Sequence, residues 1–218
     1  MREMRKLTII ILVIGLFLAS FVYYAVGFDK GQEMQEGELP QNEQVDEGLI
    51  YDYIRFTGRV MEINQEEGLY SFLVEREDEE EPYDKMIFTL EEDAILVTNM
   101  LDESVGKEDI KVGTKVSVFF HKDTPVLDSY PSRAGCDVVA ILEEGGVSNV
   151  EVYEFDKDLV STDGILMILP DEKTIIVDTG GNKLTEEAIK NKKAIVLYEV
   201  AELSLPAKTV PKKVIVFD

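Results

Sequence analysis

Two stretches of this chain match one another strand for strand, so a fold that serves one must serve both. Ala94-Ile95-Leu96-Val97 falls on Thr174-Ile175-Ile176-Val177, and Lys115-Val116-Ser117-Val118-Phe119-Phe120 falls on Lys193-Ala194-Ile195-Val196-Leu197-Tyr198. Between them Lys107-Glu108-Asp109-Ile110 falls on Glu186-Glu187-Ala188-Ile189, and after them the segment from Tyr130-Pro131 to Ile141 falls on that from Leu205-Pro206 to Val216. Order and type agree and the offset stays at roughly 75 to 80 residues, which marks an internal duplication.

Each copy reads as short β-branched and aromatic runs separated by acidic or glycine-containing turns, the pattern of an all-β module. In the first copy the spacing predicts strands over residues 54–63, 69–75, 85–90 with 94–97, 115–120 and 138–142. After a joint at 143–146, the second copy predicts strands over 150–155, 164–169, 174–177, 194–198 and 213–217. Residues 184–190 read as a helix of one or two turns with Thr185 as N-cap. Five strands leave two exposed edges unless they close, so the expected fold is all-β with a minor helix: two tandem five-stranded small barrels resembling the OB type, with small β-sandwiches as the alternative. The modules span 51–145 and 146–218.

The N-terminus sets placement. Residues 7–28 form 22 uncharged, largely apolar residues, enough for a helix rising about 1.5 Å per residue to cross a hydrocarbon core of about 30 Å. That length favours an uncleaved transmembrane anchor; Ala25-Val26-Gly27 supplies the small-x-small site of a cleaved signal, the alternative. Arg2, Arg5 and Lys6 precede the run, so the positive-inside rule keeps the N-terminus cytoplasmic and exports the remainder. Residues 29–50, rich in Glu, Gln and Gly, read as a flexible acidic tether.

Charge narrows the partners. The chain carries 44 acidic and 22 basic side chains, and residues 31–50 hold six acids and no base. Nucleic acid is excluded as an expected partner because phosphate binding needs a basic face. Cys136 is the sole cysteine and reads as buried filler, so no intrachain disulfide forms.

No residue set for catalysis, cofactor or metal emerges. Asp178-Thr179-Gly180 follows an apolar strand as in aspartic proteases, but that chemistry needs two carboxylates sharing a proton. The duplicate places Thr98 opposite Asp178, so a dyad would require a homodimer, and a tight turn is the simpler reading. The acidic run at 75–82 lacks an EF-hand frame and reads as a solvated hairpin, with weak calcium binding as the alternative. His121, the single histidine, has no second histidine for a zinc set and reads as a strand-end surface residue. The aromatic residues Tyr53, Phe56, Tyr70, Phe72, Phe88, Phe119, Phe120 and Tyr198 sit at core spacing, although in an OB-type barrel a face of them could stack on a ligand.

The order of apolar strand, acidic turn, short helix, Lys-led strand and proline-containing excursion resembles repeats of poorly characterised exported or wall-associated Firmicutes proteins. Lys193 to Tyr198 and Leu203-Ser204-Leu205-Pro206 carry the resemblance best, while the first copy departs with Asp128-Ser129-Tyr130-Pro131. It implies an envelope location. The expected function is therefore a membrane-anchored extracytoplasmic binding or assembly module, not an enzyme, partnered by an exported protein or wall component. A structural spacer is the alternative, and a dimeric aspartic-type hydrolase ranks last. Full-length protein is expected to stay with membranes through alkaline carbonate extraction, and removal of residues 1–28 to release it. Mass spectrometry of the mature N-terminus distinguishes the two: a start just beyond Gly27 means cleavage.

Overall fold

The computed structural model describes residues 51–66, 68–76 and 84–218. The expected anchor at 7–28, the tether at 29–50 and most of the acidic run at 75–82 lie outside the described residues. Among the described residues no helix is long and apolar enough to cross a membrane.

The first five strands are β1 (Tyr53–Glu66), β2 (Leu69–Glu75), β3 (Lys85–Thr98), β4 (Lys115–His121) and β5 (Ser132–Ile141). They close into a barrel in the order β1-β2-β3-β5-β4. All neighbours are antiparallel except β3 and β5, which run parallel. Closure satisfies the backbone groups that five strands would otherwise leave at two edges. The interior holds Phe56, Phe72, Phe88 and Phe120, whose rings meet at centroid separations of 5.5–6.0 Å. That spacing suits edge-on and tilted aromatic packing. Ile110, at the end of a 3-10 turn (Lys107–Asp109), completes the same cluster at 2% exposure.

Two expectations are met in part. The short helix expected at 184–190 is present as a 3-10 turn (Glu186–Ala188) with Thr185 at its N-cap position, but Thr185 makes no side-chain hydrogen bond. With three residues and no capping bond, the segment cannot sustain the i to i+4 ladder, and its use is to insert Ile189 into the core. The fifth strand also begins earlier than the apolar run suggests, because Ser132 to Cys136 extend along the front half of β3. Polar and small residues hid that half of the pairing. Opposite Asp137, β3 carries the four-residue irregularity Glu91-Glu92-Asp93-Ala94, which separates its two halves.

The second half contains β6 (Asn149–Glu154), β7 (Leu166–Ile168), β8 (Ile175–Asp178), β9 (Lys193–Tyr198), β10 (Ala207–Thr209) and β11 (Lys213–Phe217). A four-stranded sheet runs β6-β9-β11-β8, and β10 pairs with β7. The strand expected at 164–169 is present over its core as β7, which runs parallel to β10 and does not pair in a ladder with β6. The reason lies in residues 156–165, which are organised by side chains instead of a ladder. Asp156 Oδ1 accepts the amides of Asp158 and Val160 at 2.8 and 3.0 Å, and Ser161 Oγ those of Ile165 and Leu166 at 3.0 and 2.9 Å. Such local bonds compete with strand pairing. Only isolated bridges, Phe155 with Ser161 and Val160 with Met167, remain.

The apolar runs explain how the halves associate. From Val116 to Phe120, Val138 to Ile141, Ala194 to Leu197 and Val214 to Val216 every residue is buried, so both faces of these strands are covered. Along β4 and β5 alternate residues enter the barrel, while Phe119, Val138 and Ala140 face outward and meet Val150, Val152, Ile195, Leu197 and Ile215. On the far side Ala194, Val196, Val214 and Val216 join Phe155, Leu166, Ile168 and Ile189 in a separate core. Three apolar layers thus stack in order, the middle one shared.

The joint at 143–146 is pinned by Asn99, 6% exposed at the end of β3. Its Nδ2 donates to the carbonyls of Glu143 at 3.0 Å and Val147 at 3.2 Å, and its Oδ1 accepts the Glu143 amide at 2.8 Å. Gly146 lies so close that a Cβ there would stand 2.3 Å from the Asn99 amide, which is why the turn needs glycine. Asn99→Ala leaves buried donors and acceptors unmatched and is expected to lower unfolding free energy by about 1–3 kcal/mol. Urea denaturation checks this.

Candidate groove between the two halves

Beside the shared layer the halves separate, leaving a groove of about 990 Å³. One wall is the outer face of β1 and β4. Because Phe56 and Gly58 point into the barrel, Arg55 and Thr57 point out, next to Ser117 and Phe119 in register on β4. Thr57 Oγ1 and Ser117 Oγ lie 2.7 Å apart in the groove floor. The opposite wall is β6 from Asn149 to Tyr153, and Tyr51 and Tyr53 stand at one end. Burial, aided by Asp137, Glu154 and Asp52, raises the Tyr53 phenol pKa, and burial likewise raises that of Tyr153, so both remain neutral.

The groove is locally basic in a strongly acidic chain. Among the described residues, Arg55, Arg76 and Lys115 line it and Glu151 is the one carboxylate. Arg55 pairs with Glu151 across the groove. Burial raises the Glu151 pKa and Arg55 lowers it, with burial the larger effect, so the carboxylate titrates above the ordinary glutamate range. Arg76 follows β2 directly, and its guanidinium lies over the Phe56 ring, 4.3 Å from the centroid. Arg76 Nε is buried and meets no acceptor among the described residues.

Among the described residues two strand edges also lack a partner here. Val60 exchanges backbone bonds with Thr114 and Gly113 on the β4 side, which turns the N–H and C=O of Arg55 and Thr57 the other way. The β2 ladder starts only at Arg59, so nothing in it covers them. The divergence occurs at Gly58, where an added Cβ would lie 2.2 Å from the Glu75 carbonyl. On β6, an edge strand, Glu154 C=O accepts from Thr162 on the side away from β9, so Val150 and Val152 also direct their backbone groups outward.

The residues singled out in the sequence lie elsewhere. Asp178 closes a turn: its carboxylate accepts the Asn182 backbone amide at 2.8 Å and side-chain amide at 2.9 Å, which lower its pKa. His121 ends β4, its ring edge-on to Tyr53 at 5.6 Å and its Nδ1 accepting the Asp123 amide at 3.3 Å. Cys136 is buried, with Sγ 3.3 Å from the Thr89 carbonyl, and burial pushes its thiol pKa up. Phe56, Phe72, Phe88, Phe119 and Phe120 are all core residues. Sequence reasoning assigned no role to any of the groove's polar residues, Arg55, Thr57, Arg76, Lys115, Ser117 and Glu151. The signal present was polar alternation, Arg55-x-Thr57-x-Arg59 beside Lys115-x-Ser117, which marks one outward face of a strand pair.

Glu151→Gln removes a charge whose ionised form is opposed by burial, so at neutral pH the variant is expected to be the more stable. The sign follows from linkage. A carboxylate with a raised folded-state pKa binds protons more readily when folded, so the native protein recovers stability as pH falls through that pKa towards the unfolded value of about 4.3. The variant's advantage should therefore shrink over that window, read as the difference in thermal midpoint between variant and parent.

Comparison with known protein families and with curated proteins finds no match to this chain.

Proposed function

We propose that this chain is a non-catalytic binding module, exported and held at a membrane by residues 7–28, which takes its partner in the groove between its two halves. The observation that carries the reading is that groove: basic and aromatic side chains, hydroxyls and a buried, unmatched Arg76 Nε converge there in a chain otherwise dominated by acids. Concave sites with a few convergent polar groups are the usual places of ligand binding.

The architecture in this reading is two copies of one OB-type module. Support comes from matched neighbours: β6, β9 and β11 pair as β1, β4 and β5 do, and β8 runs parallel to β11 as β3 does to β5. The bridges at Val160 and Ser161 stand where β2 stands in the first barrel. The loops before the last strand share their bonds as well. Ser129 Oγ donates to the Pro131 carbonyl at 2.8 Å and Ser204 Oγ to that of Pro206 at 2.7 Å.

The test is capture from crosslinked native membranes with tagged full-length protein and an Arg76→Glu form. A species recovered with the parent and lost with the variant is the expected result. Recovery of the chain alone from both gives the spacer reading its place.

A further inference from the structure

The geometry points to an extended peptide strand carrying a carboxylate as the groove's ligand, added to the open edges of β1 and β6 with the carboxylate on Arg76. This inference rests on the groove being the binding site and specifies what enters it.

Three observations lead there together. First, the groove presents main-chain groups, not only side chains. Arg55 and Thr57 on one wall, and Val150 and Val152 on the other, direct N–H and C=O away from their own ladders. Open edges are normally blunted or covered because they accept a further strand. Strand addition uses this property for recognition, with main-chain bonds giving affinity and side-chain pockets giving specificity. A sugar or a compact metabolite has no repeating donor and acceptor row to match such an edge; an extended peptide has one every second residue.

Second, the polar groups set a charge for the ligand. The Arg76 guanidinium is held by stacking on Phe56, and its buried Nε lacks an acceptor among the described residues. A buried donor without an acceptor is unfavourable, because it has lost its water without gaining a partner. A carboxylate meets a guanidinium edge with two parallel bonds and supplies that acceptor. Arg55 is already engaged by Glu151, which leaves Arg76 as the arginine in this groove with an unmatched buried donor.

Third, the walls are fixed before any ligand arrives. The shared apolar layer, the Asn99 clasp at the joint, the hydrogen bond of Thr162 to Asp52 and that of Lys213 Nζ to the Leu101 carbonyl at 2.7 Å all tie one half to the other. A groove held from several sides spares the ligand the ordering of its receptor.

The experiment pans full-length chain in detergent micelles against a displayed library of short random peptides. Selected sequences are synthesised and titrated by fluorescence polarisation. An oligogalacturonate, a carboxylate polymer without a peptide backbone, is titrated in parallel. The expected winners carry Asp or Glu at one fixed position among β-branched residues. Their affinity should fall about tenfold or more in Arg76→Gln, as for loss of a charge-assisted bond. N-methylation of one edge-facing peptide amide should weaken binding by a similar factor, and this leaves the protein unaltered. Winners indifferent to N-methylation overturn strand addition, and winners without an acid, or indifferent to Arg76→Gln, overturn the carboxylate contact. Oligogalacturonate binding that depends on Arg76 with no peptide recovered overturns the peptide inference while the groove stands as a site. Failure of both probes overturns it too, and the membrane-capture result then decides separately whether the groove binds at all.

Discussion

The middle apolar layer is the constraint on which the rest of the structure depends. Phe119, Val138 and Ala140 leave the first barrel's wall to meet Val150, Val152, Ile195, Leu197 and Ile215. Face-to-face burial of this kind is worth about 25 cal/mol per Å² of apolar surface removed from water. It also dictates composition, because a strand with both faces covered has room for a polar residue only where a hydrogen bond matches it, as Thr57 matches Ser117. That is why residues 138–141 of β5, 194–197 of β9 and 214–216 of β11 read as unbroken apolar runs, and β4 nearly so, while β1 and β2 alternate. Truncating Phe119 would therefore loosen the association of the halves, whereas truncating Phe88, at 0% exposure inside the barrel, would strike the first core.

Where that layer ends, the groove begins, and its features are consequences of how the strands are shared. The β1–β2 ladder ends at Arg59, beside Gly58, where the backbones lie so close that a Cβ would stand 2.2 Å from the Glu75 carbonyl. The front of β1 then has one ladder partner in place of two. On the other wall the segment after β6 spends its hydrogen bonds on Asp156 and Ser161 turns, so β6 gains no full neighbour. Two separate local events thus leave two edges facing one cavity.

Electrostatics sharpen the contrast between groove and surface. Among the described residues the acids outside the groove are exposed or half-exposed, where solvent screens them. Within the groove, burial works against Glu151 more strongly than Arg55 works for it. An ion pair with one partner half exposed and the other desolvated contributes little to stability on its own account, since solvent screening and desolvation offset the attraction. What it does is hold the Arg55 side chain across the gap between the halves.

Strand positions were legible in the sequence because a strand's preference for β-branched and aromatic residues is local. β2 and β11 begin and end where their runs do, and the barrel of the first half follows from five such runs and the need to close. The unbroken runs also contained the news that a second layer covers them, but not which layer. Other features needed the tertiary structure. The front of β5, with Ala134, Gly135 and Cys136, is a strand only because β3 lies beside it. Thr185 had the composition of a helix cap, yet Ile189 packing into the core decided the turn. The groove residues Arg55, Arg76 and Ser117 are far apart in the chain and individually unremarkable. Composition and period determined which segments extend and which faces are apolar, since those depend on each residue and its near neighbours. Only the packed chain decided which edges and which buried donor lack a partner among the described residues, since those depend on residues brought together across 60 to 100 positions of sequence, as in the Thr57–Ser117 and Arg55–Glu151 contacts, separated by 60 and 96 residues.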